Sequence, residues 1–487
     1  MVAIVLSTPV TQRPAYHFAA PPGGWINDPV GTIHHKGIYH LYYQLNPHST
    51  SWDAPYWGHV YSEDLVHWKS LPPSLIPSTP YENEGCWSGS AFKINNLDDQ
   101  VYFWYTAAQP QTQCIATSSD PLLQKFTRAK TNPVVPYSAK PSRFNEAFRD
   151  PQLFMVDDSL IMLLGGGLKN RQGGAVLKYV AKNPDFMNNL FNFKYNGTLL
   201  EDDGFCSQDL LSKWECPVLF NIGDYYGLLL SVEHEEPSTT YIIIGNLDQK
   251  SFKFEPLLTF LFDPGVYAPR TFVMDNNEVV IVSWIPEDRD VVQDYSGLLS
   301  IPKRTAIGMS VSNHYLYQHL RNFASFEYYF HNNLETLRLD HKNLIADPKK
   351  RTLIGYCANG CEVLLDSSIS DYSKPFVLEI FSHPQQKEFT IIEFNFEKGE
   401  VLIDRSNSSL SDNQNTSSIT IPLLFDSSKP NVLTIHLLID RTVAELIVNH
   451  RSLATTRIYP LLSNSNQIYV HSFFKTRIEY FNYKPIF

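Results

Sequence analysis

The feature that most constrains the fold is a series of short apolar, strand-like runs separated by turn-forming residues. Long amphipathic helical periods are scarce between these runs. Many short strands at fairly even spacing predict an all-β protein built as a propeller, a barrel or a sandwich, and periodicity alone does not choose among the three. The clearest runs lie at residues 38–43, 101–105, 160–164, 226–232, 241–244 and 279–284.

Length and composition narrow the class of protein further. The 487 residues exceed what one core usually spans, so we expect two domains. Aromatic residues make up 13% of the chain and charged residues 18%, a balance that favours strands and surfaces on which sugar rings stack. The net charge of -11 argues against nucleic acid as a partner. No apolar run approaches the roughly 18 residues that span a bilayer, so we expect no membrane partner.

Three acidic motifs, set far apart, carry most of the functional information. They are WINDP at 25–29, FRDP at 148–151 and WECP at 214–217, and their carboxylates are Asp28, Asp150 and Glu215. Proline fixes its own φ and pushes the residue before it toward extended geometry, so each acid sits on a stiff backbone. Each motif alone is more often a turn or a solvated surface pair. Together, three held carboxylates among aromatic rings suit the cleavage of a glycosidic bond.

Further sequence blocks occur in a set order around these acids. They read NDP at 27–29, YYQLNP at 42–47, WGH at 57–59, DLVHW at 64–68, WSGS at 87–90, RDP at 149–151, ECP at 215–217, DPGVYA at 263–268 and SIPKR at 300–304. In these blocks, from about residue 15 onward, the chain resembles glycoside hydrolase family 32, which contains invertases, inulinases, levanases and fructosyltransferases. The resemblance implies a five-bladed β-propeller followed by a C-terminal β-sandwich. We expect the propeller at residues 1–320, a linker at 321–340 and the sandwich at 341–487.

The resemblance also implies catalytic roles for the three acids. Asp28 is the expected nucleophile, Glu215 the acid/base and Asp150 the residue that binds ring hydroxyls in the transition state. In a retaining glycosidase the two catalytic carboxyl groups lie about 5–5.5 Å apart. Arg149 is expected to keep Asp150 ionised and to orient Glu215. No metal ion and no organic cofactor is required for this chemistry.

The expected substrate contacts surround these acids. Gln44 falls on a fructose-binding position of the family, and Trp25 is a further candidate wall of the pocket. The full set of expected substrate-binding residues is Asn27, Gln44, Trp52, Trp87, Ser88, Arg149, Tyr267 and Trp284.

The chain departs from the family pattern at three places near the acids. Val30 replaces an Asn, Trp87 replaces a Phe, and Val218 stands where many members carry Asp or Gly. These changes predict an altered leaving-group site with some transfer of fructose to sugar acceptors. The Cys216 thiol, a small apolar neighbour of Glu215, is expected to raise the pKa of that acid.

The six cysteines are too sparse for a disulfide scaffold. Cys357 and Cys361 have no second pair at zinc-ligand spacing, so buried or paired thiols are the better interpretation. Residues 437–445 match a C-terminal segment of the family, and we interpret them as structural, as an edge strand with a tight turn at Asp440 and Arg441.

Three functions remain open at this point. The chain is a β-fructofuranosidase, a fructosyltransferase that uses the same covalent intermediate, or a catalytically silent sugar-binding relative, and the presence of all three acids favours the enzymes. The expected partner is a sugar such as sucrose or a fructan, and the sandwich is the expected surface of any homodimer. A native Met1 predicts a cytoplasmic protein, whereas a Met1 added to a mature chain predicts a secreted one.

Overall fold

The computed structural model describes residues 13–94, 99–169, 173–202, 213–233, 239–274, 278–289, 294–307, 324–328, 338–346, 350–357, 360–425 and 430–483. Within these ranges the regular structure is β-strand, apart from two 3₁₀ turns at Pro80–Glu82 and Tyr137–Ala139. The described residues between 18 and 287 and between 294 and 328 form one compact unit, and residues 13–17, 288–289 and those from 338 to 483 form the other. The prediction of an all-β protein is confirmed.

The first unit consists of five sheets that follow one another along the chain. Sheet one contains β1 (Gly24–His35), β2 (Ile38–Asn46), β3 (Tyr56–Ser62) and β4 (Lys69–Leu75). Sheet two contains β5 (Cys86–Phe92), β6 (Val101–Ala107), β7 (Thr112–Ser118) and β8 (Thr127–Arg128). Sheet three contains β9 (Phe144–Val156), β10 (Ser159–Leu168), β11 (Gly174–Lys182) and β12 (Lys194–Glu201). Sheet four contains β13 (Trp214–Ile222), β14 (Tyr225–Val232), β15 (Thr239–Asp248) and β16 (Lys253–Leu261).

Sheet five completes the unit and is joined to sheet one. Its strands are β17 (Tyr267–Val273), β18 (Val279–Ile285), β20 (Leu298–Leu299), β21 (Lys303–Ile307) and β22 (Ala324–Tyr328). The short β19 (Tyr295–Ser296) pairs in parallel with β1. The first strand of each sheet also contacts the first strand of the next, from β1 through β5, β9 and β13 to β17, and β17 contacts β1 again. The five sheets therefore close into a ring, and the five-bladed propeller is confirmed.

The packing between blades explains the continuous apolar runs of the sequence. All residues of β6, VYFWYTA, are buried. Tyr102 and Trp104 pack into a core shared with sheet three, whereas Phe103 and Tyr105 pack into a core shared with sheet one. Successive strand residues point to opposite faces, and both faces of an internal blade are covered, so an alternating polar pattern is not needed.

The second unit is a β-sandwich of two six-stranded sheets, as predicted. One sheet is ordered β23 (Arg338–Ala346), β34 (Thr476–Tyr483), β25 (Cys361–Ser368), β30 (Val432–Asp440), β31 (Val443–Val448) and β32 (Ser452–Arg457). The other is ordered β24 (Arg351–Tyr356), β33 (Gln467–His471), β26 (Phe376–Ser382), β27 (Thr390–Asn395), β28 (Glu400–Asp404) and β29 (Ile419–Pro422). Alternate residues such as Val363 in β25 and Leu378 in β26 share one apolar core between the sheets.

The bounds expected for the two domains and the linker stay a prediction. Residues 308–323 and 329–337 lie outside the described residues. Strands β22 and β23 occupy parts of the expected linker range, and β22 pairs with β21 of sheet five.

A buried histidine joins the first described residues to the sandwich unit. Nδ1 of His17 lies 2.9 Å from Oδ2 of Asp440, and Nε2 lies 2.8 Å from Oε1 of Glu445. The Asp440 carboxylate also accepts backbone N–H bonds from residues 15–17. Asp440 ends β30, and the tight turn at Arg441 leads into β31, so the predicted turn is present. The prediction of an edge strand is wrong, because both strands have neighbours on each side.

The cysteines follow the interpretation made from their spacing. Cys357 and Cys361 form a disulfide, and Cys86, Cys114 and Cys216 are buried free thiols. Cys206 lies outside the described residues.

Candidate active site

The first strand of every blade carries a β-bulge, and the five bulges gather the candidate residues. In each bulge two consecutive residues lie opposite one residue of the partner strand, which redirects side chains from the regular alternation. The bulged pairs are Asn27 and Asp28, Trp87 and Ser88, Asp150 and Pro151, Cys216 and Pro217, and Ala268 and Pro269. The site is thus assembled from all five sheets.

Three of the bulges hold a left-handed residue immediately before a proline. The φ angles are +66° at Asp150, +49° at Cys216 and +48° at Ala268. Each of these residues donates its backbone N–H to a side chain of the preceding blade: Asp150 to Oγ1 of Thr106 (2.9 Å), Cys216 to Oδ2 of Asp150 (2.8 Å) and Ala268 to Oγ of Ser231 (2.9 Å). The backbone at Asp150 therefore turns within the strand and is not extended. Hydrogen bonds from outside the strand override the local preference of a residue before proline.

Asp28 is buried, and both of its carboxylate oxygens accept hydrogen bonds. Oδ2 accepts a close bond from the Ser88 hydroxyl and one at 3.4 Å from the Cys216 thiol, and Oδ1 accepts one at 3.1 Å from Nδ2 of Asn27. Burial raises the pKa of Asp28 above its ordinary value, and the nearby Glu215 charge adds to the rise, against the Ser88 bond. Hydrogen bonds to Oδ2 favour the ionised form, which is the form a nucleophile needs.

Glu215 is held by an arginine and a tyrosine. Nε of Arg149 donates to Oε1 at 2.8 Å, Nη2 makes a close contact with the same atom, and the Tyr267 hydroxyl donates to Oε2 at 2.5 Å. Burial acts to raise the pKa of Glu215, but the Arg149 charge and these bonds hold it below its ordinary value. The expectation that Cys216 raises this pKa is wrong, because the thiol donates to Asp28 instead.

Asp150 is buried, and the pKa of its carboxyl group is raised. Burial raises the pKa of Asp150 to about 6, with further contributions from the charges of Glu215 and Asp28, although the Arg149 charge opposes the rise. Arg149 thus favours ionised Asp150, as expected, but does not overcome burial. Its guanidinium hydrogen-bonds Glu215, so the expected orientation of that acid is observed.

A chain of polar side chains links three of the expected substrate-binding residues to Asp28. Oε1 of Gln44 accepts from Nδ2 of Asn27 at 2.8 Å, and Nε2 of Gln44 donates to Oγ of Ser88 at 2.5 Å. Ser88 donates in turn to Asp28, and Trp25 donates to Oδ1 of Asn27 at 3.1 Å. These bonds fix the orientation of the amide and hydroxyl groups beside Asp28.

The expected tryptophans lie beside the acids and their partners. Ring centroids are close in three pairs: Trp52 and Trp87 at 5.9 Å, Trp25 and Trp284 at 5.8 Å, and Tyr267 and Trp284 at 6.3 Å. The Arg149 guanidinium lies 5.9 Å from the Trp87 ring. Trp52 is 46% exposed, so the Trp52 and Trp87 pair presents an aromatic surface to solvent next to the arginine that holds Glu215.

The other two departures from the family pattern do not face the site surface. Val30 is fully buried and packs in the core of sheets one and two with Tyr42 and Trp57. Val218 is 2% exposed and lies opposite Leu229 in β14. Of the three departures, only Trp87 has a partly exposed side chain.

Sequence reasoning missed two residues that contact this network. Oε1 of Gln111 accepts from Nη1 of Arg149 at 3.3 Å and from the backbone N–H of Phe148 at 2.8 Å. Arg270, in β17, is 4% exposed and donates from Nη1 to the carbonyl oxygen of Cys216 at 3.3 Å. The sequence could have indicated Arg270 by its position, because it is a charged residue three positions after Tyr267 in a strand of mostly apolar residues.

The described part of the chain contains neither a metal-binding cluster nor a membrane-spanning helix. No group of three or more His, Cys, Asp or Glu side chains is arranged there to hold a metal ion. Among the same residues, no helix has the length and apolar character to cross a membrane.

Known proteins resemble this chain along most of its length. Residues 17–319 match the glycosyl hydrolases family 32 N-terminal domain, and residues 333–484 match the family 32 C-terminal domain. An insoluble β-fructofuranosidase isoenzyme of Arabidopsis thaliana is 27% identical, with 93% of this chain and 85% of that protein covered. A sucrose-6-phosphate hydrolase of Zymomonas mobilis is 26% identical, with 89% and 83% covered. The structure of fructan 1-exohydrolase IIa from Cichorium intybus matches with a TM-score of 0.82 at 22% identity, with 98% of both chains covered.

Proposed function

The chain belongs to glycosyl hydrolase family 32 and is a glycoside hydrolase, and from this premise we propose that it removes terminal β-fructosyl units from sucrose and fructo-oligosaccharides. The names of its relatives support the substrate class, since they include a β-fructofuranosidase, a sucrose-6-phosphate hydrolase and a fructan 1-exohydrolase. The observation that carries the proposal is one hydrogen-bonded cluster, in which Cys216 contacts both Asp28 and Asp150 while Arg149 and Tyr267 hold the adjacent Glu215.

The first step is attack by Asp28 on the anomeric carbon of the fructosyl unit. Ser88 and Cys216 both bind Oδ2, whereas Oδ1 accepts the 3.1 Å bond from Asn27. We assign the attack to Oδ1, because Oδ2 is committed to two donors. A carboxylate nucleophile gives a covalent fructosyl-enzyme, and a second displacement by water then retains the anomeric configuration.

Glu215 supplies the proton that the leaving oxygen needs. In the free enzyme Arg149 and Tyr267 favour its ionised form, and burial favours the protonated form. A sugar that fills the pocket excludes water and strengthens the burial effect, so binding favours the protonated acid. After the leaving group departs, Glu215 is ionised again and takes a proton from the attacking water.

Asp150 binds ring hydroxyls of the fructosyl unit. Its pKa of about 6 makes the carboxylate a strong acceptor above that pH. Positive charge develops on the sugar ring during cleavage, and the hydroxyl bonds to a neighbouring carboxylate strengthen with it. Because the Cys216 N–H holds Oδ2 of Asp150, the carboxylate keeps its direction while the ring flattens.

A share of the covalent intermediate is captured by a sugar instead of water. Trp87 carries this part of the proposal, because its ring lies beside Arg149 and next to the exposed Trp52. An aromatic face stacks on a sugar ring and orders water poorly. Transfer products should form at high sucrose, and hydrolysis should dominate when sucrose is dilute.

The catalytic proposal is tested with Asp28→Ala and Glu215→Ala. Each should lower kcat on sucrose, by about 10²–10⁴-fold for loss of the acid and by more for loss of the nucleophile, with an unchanged melting temperature. The matched control is Asp64→Ala, which removes an aspartate that bonds Ser62 and His67. Activity within a few-fold of wild type in either site variant would contradict the assignment. A silent sugar-binding relative would show no turnover in the wild type.

A further inference from the structure

Arg270 is a buried cation whose bonding is incomplete. The side chain follows the bulge at Ala268 and Pro269 and is 4% exposed. Nη1 donates to the carbonyl oxygen of Cys216 at 3.3 Å, but Nε and Nη2 are buried and have no hydrogen-bond partner among the residues that the structure describes. Burying a guanidinium with two unbonded N–H groups is costly, so something else in its surroundings must favour the charge.

The residue that Arg270 bonds is the one that contacts both aspartates. The Cys216 N–H donates to Oδ2 of Asp150 at 2.8 Å, and its thiol donates to Oδ2 of Asp28 at 3.4 Å. Cys216 does this from a left-handed conformation with a φ of +49°, which is strained for a residue with a side chain. The bond from Arg270 to its carbonyl oxygen is one of the contacts that hold this peptide in place.

The charges of the site give Arg270 a second role. Asp28, Asp150 and Glu215 are three acids in one pocket, and Arg149 is hydrogen-bonded to Glu215. The Arg270 charge opposes the rise that burial causes in the pKa of Asp28 and in that of Asp150. Arg270 therefore favours ionisation of both aspartates, and at Asp150 it adds to the larger effect of the Arg149 charge.

We propose that Arg270 is a positioning residue for the reaction, which fixes the Cys216 peptide against both aspartates and supplies the positive charge that keeps them ionised together. The inference rests on the proposed function for its kinetic meaning. An arginine with a purely structural role would instead stabilise the bulge equally whether Asp28 and Asp150 are protonated or ionised.

The kinetic test compares Arg270→Met with Arg270→Lys over pH 4–8, with kcat/KM for sucrose as the measurement. Loss of the charge raises the pKa of both aspartates, so the acid limb of the profile moves to higher pH. Arg270→Met should lose at least about tenfold more activity at pH 5 than at pH 7.5, which corresponds to a shift of about one pKa unit. Arg270→Lys keeps the charge and should recover most of the activity at pH 5.

The control is Arg405→Met, which removes a buried arginine of the sandwich unit that bonds Asp288. Its melting temperature should fall while its acid limb stays at the wild-type position. Equal losses by Arg270→Met at all pH values, or an unmoved acid limb, would overturn the proposal. If Arg270→Met does not fold, Arg270→Gln replaces it, and the same shift relative to Arg270→Lys decides.

A second measurement is independent of turnover. Because the pKa values of the two aspartates are raised in the folded protein, their contribution to stability is greatest at low pH and falls as pH rises through the folded values. The melting temperature of Arg270→Met should fall more steeply between pH 5 and pH 8 than that of wild type, and Asp150→Asn in the same chain should reduce this slope. Equal slopes in wild type and Arg270→Met would refute the electrostatic role. Absence of sucrose cleavage by the wild type would refute the proposed function alone, and the thermal comparison would still decide the role of Arg270.

Discussion

Replacing Tyr267 by phenylalanine should extend activity to higher pH. The Tyr267 hydroxyl donates to Oε2 of Glu215 at 2.5 Å and favours the ionised acid, so its loss raises the pKa of Glu215. A hydrogen bond to a charged group is worth about 1.5–3 kcal/mol. One pKa unit corresponds to about 1.4 kcal/mol, so the expected rise is about one to two units. Screening by solvent takes little from this figure, because the Glu215 side chain is 15% exposed.

The assay is the pH profile of kcat for sucrose, whose alkaline limb reports the acid in the enzyme–substrate complex, where the bound sugar favours protonated Glu215. The reaction needs protonated Glu215, so the alkaline limb of Tyr267→Phe should move upward by about one to two pH units. Tyr179→Phe is the matched control, since it removes a buried phenol that donates to the carbonyl oxygen of Ala139 at 2.9 Å. That variant should melt earlier with an unmoved limb. An alkaline limb of Tyr267→Phe at the wild-type position, or one moved to lower pH, would refute the reasoning.

Two further predictions concern the sandwich and the leaving-group site. His17→Ala should lower the free energy of unfolding by about 3–5 kcal/mol at pH 6, measured by chemical denaturation, because it removes the imidazole that pairs with the two buried carboxylates Asp440 and Glu445. Burial opposes the rise, but the two carboxylates raise the pKa of His17, so this contribution is complete below its unfolded pKa and the difference from wild type should shrink as pH rises through the folded value. Trp87→Phe should lower the share of transfer products at saturating sucrose, measured by chromatography, and an unchanged share would contradict the role given to that ring.

The sequence allowed the acids to be found because each carries a local mark. Asp28, Asp150 and Glu215 stand beside prolines and aromatic or basic residues at positions that the family resemblance also selects. The strand runs likewise reveal the blades, since a blade buried on both faces needs an apolar residue at almost every position. Both kinds of signal can be recognised from residues that are adjacent in the sequence.

The rest depends on residues that meet only in the folded ring. Nothing near Val30 in the chain distinguishes a residue of the pocket from one that packs under Tyr42 and Trp57. The left-handed φ of Asp150 runs against the preference that its proline imposes, because the Thr106 hydroxyl accepts its N–H from another blade. Arg270 belongs to no sequence motif. Its link to the site is a hydrogen bond to the carbonyl oxygen of Cys216, which lies 54 positions earlier in the chain.

Because the site is built from bulges on all five blades, its formation depends on the folding of the whole propeller. Asp28, the proposed nucleophile, lies on the first blade and Arg270 on the fifth, so a chain that has formed only four blades holds the three acids without Arg270. During synthesis or refolding, we therefore expect full activity to appear only after the last blade has docked against the first. Assembly of the site and closure of the ring are then the same event, so the recovery of activity in a refolding experiment would report ring closure.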